Sequence, residues 1–158
     1  MRKNNYIFMA LVLVVFFAGC AYYNTFYNAQ YYYNSAQREM KNSRDKEKLS
    51  KATIENLDKA ITKSKKVLYK YPDSRWTDDA QYLIAMSNFH KDNYRQAKEE
   101  FETFLFDYSE SKYRKKARIW YGKTLWNLKQ REAAMQEWKS AAKKIKSDEL
   151  MGELYYLI

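Results

Sequence analysis

"YPDSRWTDDAQYLIAMSNFHKDNYRQAKEEF" runs from Tyr71 to Phe101, and "YSESKYRKKARIWYGKTLWNLKQREAAMQEW" runs from Tyr108 to Trp138. The second stretch echoes the first 37 residues later, with no gap. Tyr71 falls on Tyr108, Ser74 on Ser111, Ala80 on Ala117 and Ala85 on Gly122. Phe89 falls on Trp126, Ala97 on Ala134 and Phe101 on Trp138. Shifted back, Ala97 falls on Ala60. Shifted forward, Ser111 falls on Asp148 and "ARIWY" on "LYYLI". A fixed period of this length is the mark of a stacked repeat, in which each unit buries its apolar face only against its neighbours.

The matched residue types have a packing logic. Small residues at Ala85 and Gly122 allow one helix of a unit to approach another, and Ala97 and Ala134 do the same on the second helix. Phe101 and Trp138 fill the space between units. "KDN" at Lys91 to Asn93 and "KQ" at Lys129 to Gln130 are the turns. The pattern resembles the tetratricopeptide repeat, a helix–turn–helix unit of about 34 residues. Two departures are the longer period and Ser109, which stands where that repeat closes with Pro; only Pro72 keeps the feature.

Working outward, the whole chain reads as all-α. It has three glycines and one proline in 158 residues, too few turn residues for an all-β fold of this length. Tyr22, Phe26, Ala29, Tyr33, Ala36 and Met40 form an apolar stripe at helical spacing, with Asn24 as an N-cap. The stripe reads as core; an interfacial Tyr belt is the competing reading. "KNSRDKEK", Lys41 to Lys48, is a loop or solvated helix end. Ile54, Leu57, Ile61 and Leu68 mark the second helix, closed at "YPDS", where Pro72 biases Tyr71 out of helical geometry and Ser74 caps the next helix. The prediction is a tetratricopeptide-like helical-repeat solenoid of about three helix pairs plus a trailing helix. The pairs are Thr25–Met40 with Leu49–Lys70, Thr77–Lys91 with Tyr94–Tyr108, and Tyr113–Leu128 with Glu132–Lys146. The repeats cover about 25–70, 71–107 and 108–146, with a partial one at 147–158. The apolar "LYYLI" terminus is unlike the polar outer face of a cap.

The other end of the chain places it in the cell. Arg2 and Lys3 precede "IFMALVLVVFF", an uncharged run of eleven from Ile7 to Phe17. About 20 residues are needed to cross a bilayer, so this run fits the apolar region of a secretory signal peptide at 1–19. "FAGC" then resembles the lipobox of bacterial lipoproteins, with Phe17 in place of the usual Leu. That resemblance implies diacylglycerol on the Cys20 thiol, cleavage before Cys20 and acylation of the new amine. The acyl chains, palmitate among them, would make a lasting anchor. Ala21, rather than Asp, favours the outer membrane, facing the periplasm. With one Cys no intramolecular disulfide exists. Without Arg2 and Lys3, 27 basic groups face 19 acidic ones, a surplus of eight. Behind a lipoprotein leader this points to lipid headgroups or an acidic protein partner rather than nucleic acid; a solvated lysine-rich surface is the plainer reading.

No catalytic, metal or cofactor site is visible. His90 is the only histidine, which rules out a histidine cluster, and no glycine-rich phosphate loop exists. His90 reads as a surface residue beside the Lys91 turn. Asp78–Asp79 and Glu99–Glu100 read as solvated pairs among Lys and Arg.

Lipobox, aromatic first helix, "YPDS" junction and long helical repeats together resemble the outer-membrane lipoprotein BamD family. That resemblance implies a lipid-anchored, non-enzymatic periplasmic scaffold serving outer-membrane β-barrel assembly. The same unit style occurs in the periplasmic repeat protein of the Tol–Pal system, and a secretion pilotin is a third role. In such repeats the first helix of each pair lines a partner groove, which makes Tyr82, Met86, Phe89, Ile119, Lys123 and Trp126 the expected lining. Packing between repeats is the competing reading, favoured for Phe89 and Trp126.

Overall fold

A computed structural model of the chain describes residues 24–43, 48–143 and Gly152. The leader, Cys20, Tyr22, residues 44–47 and the trailing helix other than Gly152, itself helical, lie outside the described residues. Among the described residues there is no strand. The helices are α1 (24–42), α2 (Lys51–Lys70), α3 (Thr77–His90), α4 (Tyr94–Asp107), α5 (Arg114–Asn127) and α6 (Arg131–Ala142). They pack as successive antiparallel neighbours, α2 on α3, α3 on α4, α4 on α5 and α5 on α6. This is the tetratricopeptide-like repeat architecture the period predicts.

The period is visible atom by atom at the junctions between pairs. Tyr71 N–H donates to the Val67 carbonyl at 2.9 Å, and Tyr108 N–H to the Phe104 carbonyl at 3.0 Å. Ser74 Oγ accepts from Trp76 N–H at 3.1 Å, and Ser111 Oγ accepts from Tyr113 N–H at 3.2 Å. Each serine therefore folds the turn before the helix; the N-cap positions themselves are Trp76 and Tyr113, without a side-chain cap. This corrects the expected Ser74 cap by two residues. The Arg75 guanidinium lies over the Trp76 ring at 4.6 Å and the Lys112 ammonium over the Tyr113 ring at 4.8 Å, again at equivalent positions.

The turns within pairs are equally matched. Asn93 N–H reaches the Asn88 carbonyl and Asp92 N–H the Phe89 carbonyl, both at 3.0 Å. Gln130 N–H reaches Leu125 at 2.9 Å and Lys129 N–H reaches Trp126 at 3.0 Å. These are Schellman closures, which need a left-handed residue at the second position. Asp92 and Lys129 fill it with φ of 58° and 65°, without the usual glycine.

Across each pair, Gln81 donates to the Glu100 carboxylate at 2.7 Å and Arg118 to Glu137 at 2.7 Å, repeat-equivalent links of different chemistry. Ala85 and Phe101 are wholly buried. In the next repeat the aromatic is larger and the small residue smaller. A Cβ on Gly122 would sit 2.1 Å from Trp138 Nε1, so only glycine fits opposite this indole. Trp138 Nε1–H donates to the Ile119 carbonyl at 3.1 Å.

The first pair follows the same plan with its own ties. Phe26, Ala29, Tyr33 and Ala36 are buried, as the stripe predicts. Asn24 lies inside α1 rather than capping it, and accepts from Asn28 Nδ2 at 2.8 Å. Ser50, unnoticed in the sequence, caps α2 by accepting from Thr53 N–H at 3.0 Å. Glu39 of α1 accepts from Thr53 Oγ1 and Asn56 Nδ2, each at 2.9 Å, and places a carboxylate at the start of α2. The buried face of α2 is Thr53, Leu57, Ala60, Ser64 and Val67. Of the expected stripe only Leu57 belongs to it, and Ile54 is 39% exposed. The small residues turn inward because α2 packs close against α3.

Candidate functional site

The first helices of the three pairs lie side by side. Phe26 at the start of α1 stacks on Trp76 at the start of α3, with centroids 4.7 Å apart. Tyr33 of α1 lies 6.0 Å from His90 at the end of α3, so the two helices run parallel. Phe89 and His90 meet Trp120 of α5 at 4.9 and 5.7 Å. An aromatic seam, Tyr33–His90–Phe89–Trp120, therefore crosses the inner helices. Lys123 sits over Trp120 at 4.1 Å and Arg131 over Trp126 at 5.2 Å, which gives the α5 end of the seam a basic border. At the other end, beyond His90, a cavity of about 500 Å³ opens among Gln37, Met40, Leu49, Ser50 and Thr53.

The expected lining residues divide into two groups. Tyr82, Met86 and Ile119 are buried, and so have no surface to offer a groove. Tyr82 stacks face to face on Tyr113 at 4.6 Å and meets Phe104 at 5.7 Å, so it joins repeats instead of lining a cleft. The cause is position: α3 has helices against several sides, and residues 79–88 are all buried. Phe89 and Lys123 are half-buried, and Trp126 is 43% exposed. The residue for which packing is the favoured reading, Trp126, is thus the most accessible of the six.

His90 is not a surface residue. It is largely buried among the rings of Tyr33, Phe89 and Trp120, and its Nε2 has no hydrogen-bond partner. Burial pushes its pKa down to about 4; the Asp92 carboxylate opposes the shift and the Lys123 ammonium adds to it. A neutral imidazole is thus an element of an aromatic seam. Trp120, also missed, carries no repeat signal, because position 83 of the preceding repeat is Leu. Its neighbour Phe89 in the matched set was the available hint.

Two carboxylates, one buried and one half-buried, tie the repeats together. Asp79, at 4% exposure, accepts from Tyr113 Oη at 2.8 Å and pairs with Lys112 at 3.1 Å. Asp78 accepts from Ser111 Oγ at 2.7 Å. The Asp78–Asp79 pair therefore closes a junction between repeats, a structural use for both groups. Among the described residues, no group of three or more His, Cys, Asp or Glu side chains could hold a metal ion. No described helix is long and apolar enough to cross a membrane.

Paired helices repeating at 37 residues, and a ring-lined inner face in place of a cluster of reactive groups, define a tetratricopeptide-type helical-repeat protein. More particularly, residues 46–154 match the model of YfiO, an outer membrane lipoprotein family, and the chain belongs to that family. No curated protein matches it.

Proposed function

We propose that this chain is a non-catalytic scaffold of outer-membrane β-barrel assembly, held by acyl chains on Cys20 and facing the periplasm. In this reading it binds an extended segment of a partner protein along the inner-helix face. The observation that carries it is the aromatic seam from Trp120 to Tyr33, bordered by Lys123 and Arg131 and ending at the cavity beside His90. The partly exposed rings of Phe89, Trp120 and Trp126 supply contact area at low entropic cost, and basic groups around them favour an acidic segment. Membership of an outer membrane lipoprotein family supports the location.

The test uses the full lipoprotein and a Lys123→Ser/Trp126→Ser variant. Lys123 is half-buried and Trp126 is 43% exposed, and neither belongs to the buried core, so the variant is expected to keep the helical circular dichroism of the wild type. Pull-down from solubilised envelopes should recover β-barrel assembly components with the wild type and markedly less with the variant. Equal recovery by both refutes this face. Recovery of Tol–Pal or secretin components in their place would assign the chain to one of those roles.

A further inference from the structure

Tyr69 and Phe106 are the two most exposed large hydrophobic side chains described, at 86% and 87%. They lie 37 residues apart, at the same position of successive repeats, each one residue before the end of its helix. Packing among the described residues explains neither. Both helix ends fall on one edge of the stack, the edge where the inner helices begin. The stacking of Phe26 on Trp76 puts the first described turn of α1 there too. Asn24 is four residues past Cys20, a span of at most about 14 Å even when fully extended. The far edge, where α3 and α5 end, is about 20 Å away along 14-residue helices. Exposed Lys70, Arg75, Lys112 and Lys115 stand on the near edge with the two aromatics, interleaved with exposed Asp73, Asp107 and Glu110, and Lys112 is paired with Asp79. Tyr settles at headgroup depth and an exposed Phe buries its apolar ring at the acyl boundary, so an edge that carries both beside a short tether suits the surface of a bilayer.

We infer that this edge, with Tyr69 and Phe106 as its anchors, seats against the headgroup layer of the bilayer that holds the acyl chains of Cys20. The seat fixes the direction of the solenoid: the inner helices stand with their starts on the lipid and the His90 cavity on the far side. It rests on the reading of Cys20 as the acylated residue, because that anchor selects the edge.

A lipidated Cys20 leaves the chain without a free thiol, so a single introduced cysteine can carry a probe. Ser109→Cys places it on the near edge and Gln130→Cys on the far edge, both at exposed positions. Each full-length lipoprotein is labelled with an environment-sensitive fluorophore in vesicles of phosphatidylethanolamine with a minority of phosphatidylglycerol. A headgroup nitroxide lipid should quench the near-edge label at least about threefold more than the far-edge label. Adding Tyr69→Ser and Phe106→Ser should bring that ratio close to one. Equal quenching of the two labels on floated protein overturns the seat while leaving the anchor intact, and would make the aromatics a surface for a protein partner. Wild type that takes up label and fails to float overturns the anchor and the seat together. An unchanged ratio in the double serine variant removes Tyr69 and Phe106 as the anchors.

Discussion

Gly122 and Trp138 provide the sharpest test of the repeat register. A methyl group on Gly122 would lie 2.1 Å from Trp138 Nε1, 2.5 Å from Cδ1 and 2.8 Å from Cε2. Ordinary carbon contacts need about 3.5–4 Å, so the indole must move by well over an ångström. Trp138 is 2% exposed and has no free space to move into. Overpacking of this kind costs about 1–3 kcal/mol. The displaced ring also loses its 3.1 Å bond to the Ile119 carbonyl, about 1 kcal/mol more. Replacing glycine within a helix returns about 1 kcal/mol. The net expectation for Gly122→Ala is a loss of about 2 kcal/mol, or roughly 8 °C in melting temperature at about 4 °C per kcal/mol. Trp138→Phe alone leaves a cavity and loses the same bond. The double variant, however, reproduces the Ala85 and Phe101 pair of the preceding repeat. The two changes should therefore rescue each other, with a coupling near 2 kcal/mol in a double-mutant cycle. Thermal melts of the four proteins measure it. A Gly122→Ala protein as stable as wild type, or strictly additive effects, would refute the packing argument.

Ala97→Leu should cost about 1–3 kcal/mol by overpacking a wholly buried close-approach position; a shift in melting temperature no larger than that of the surface control Lys98→Leu would count against the register. His90 has a folded pKa near 4 against an ordinary 6.5, so the unfolded chain takes up a proton first on acidification. Its stabilising effect is full above pH 6.5 and is lost toward pH 4, by up to about 3 kcal/mol; denaturant melts of His90→Phe should show a shallower loss over that window than the wild type. Lys129→Gly should raise stability by about 0.5–1 kcal/mol, because φ of 65° suits glycine, and an unchanged or lower midpoint in urea would argue against the left-handed turn. Cys20→Ser should leave an unprocessed precursor or a chain without acyl groups, which mass spectrometry of the membrane fraction would reveal; a variant still processed and still partitioning into detergent would refute the anchor.

The sequence by itself determined the architecture of the junctions. Turns are local chemistry, so Ser74 and Ser111 make the same bonds 37 positions apart, and Asp92 and Lys129, though different in type, close their turns through the same backbone bonds. The small and aromatic positions Ala85, Gly122, Phe101 and Trp138 were legible for the same reason, since each repeat meets an equivalent neighbour. What the period could not assign was exposure, which depends on how many neighbours a helix acquires. Tyr82, Met86 and Ile119 look like groove positions along the chain, yet they are buried because α3 and α5 are enclosed by the surrounding helices. Ile54 reads as core, yet it is left outside because α2 turns Thr53, Ala60 and Ser64 toward α3 for a closer approach. His90 carries no pattern at all. Only the side-by-side placement of α1, α3 and α5 surrounds it with Tyr33, Phe89 and Trp120 and lowers its pKa, because burial is a property of the assembled helices and not of any one of them.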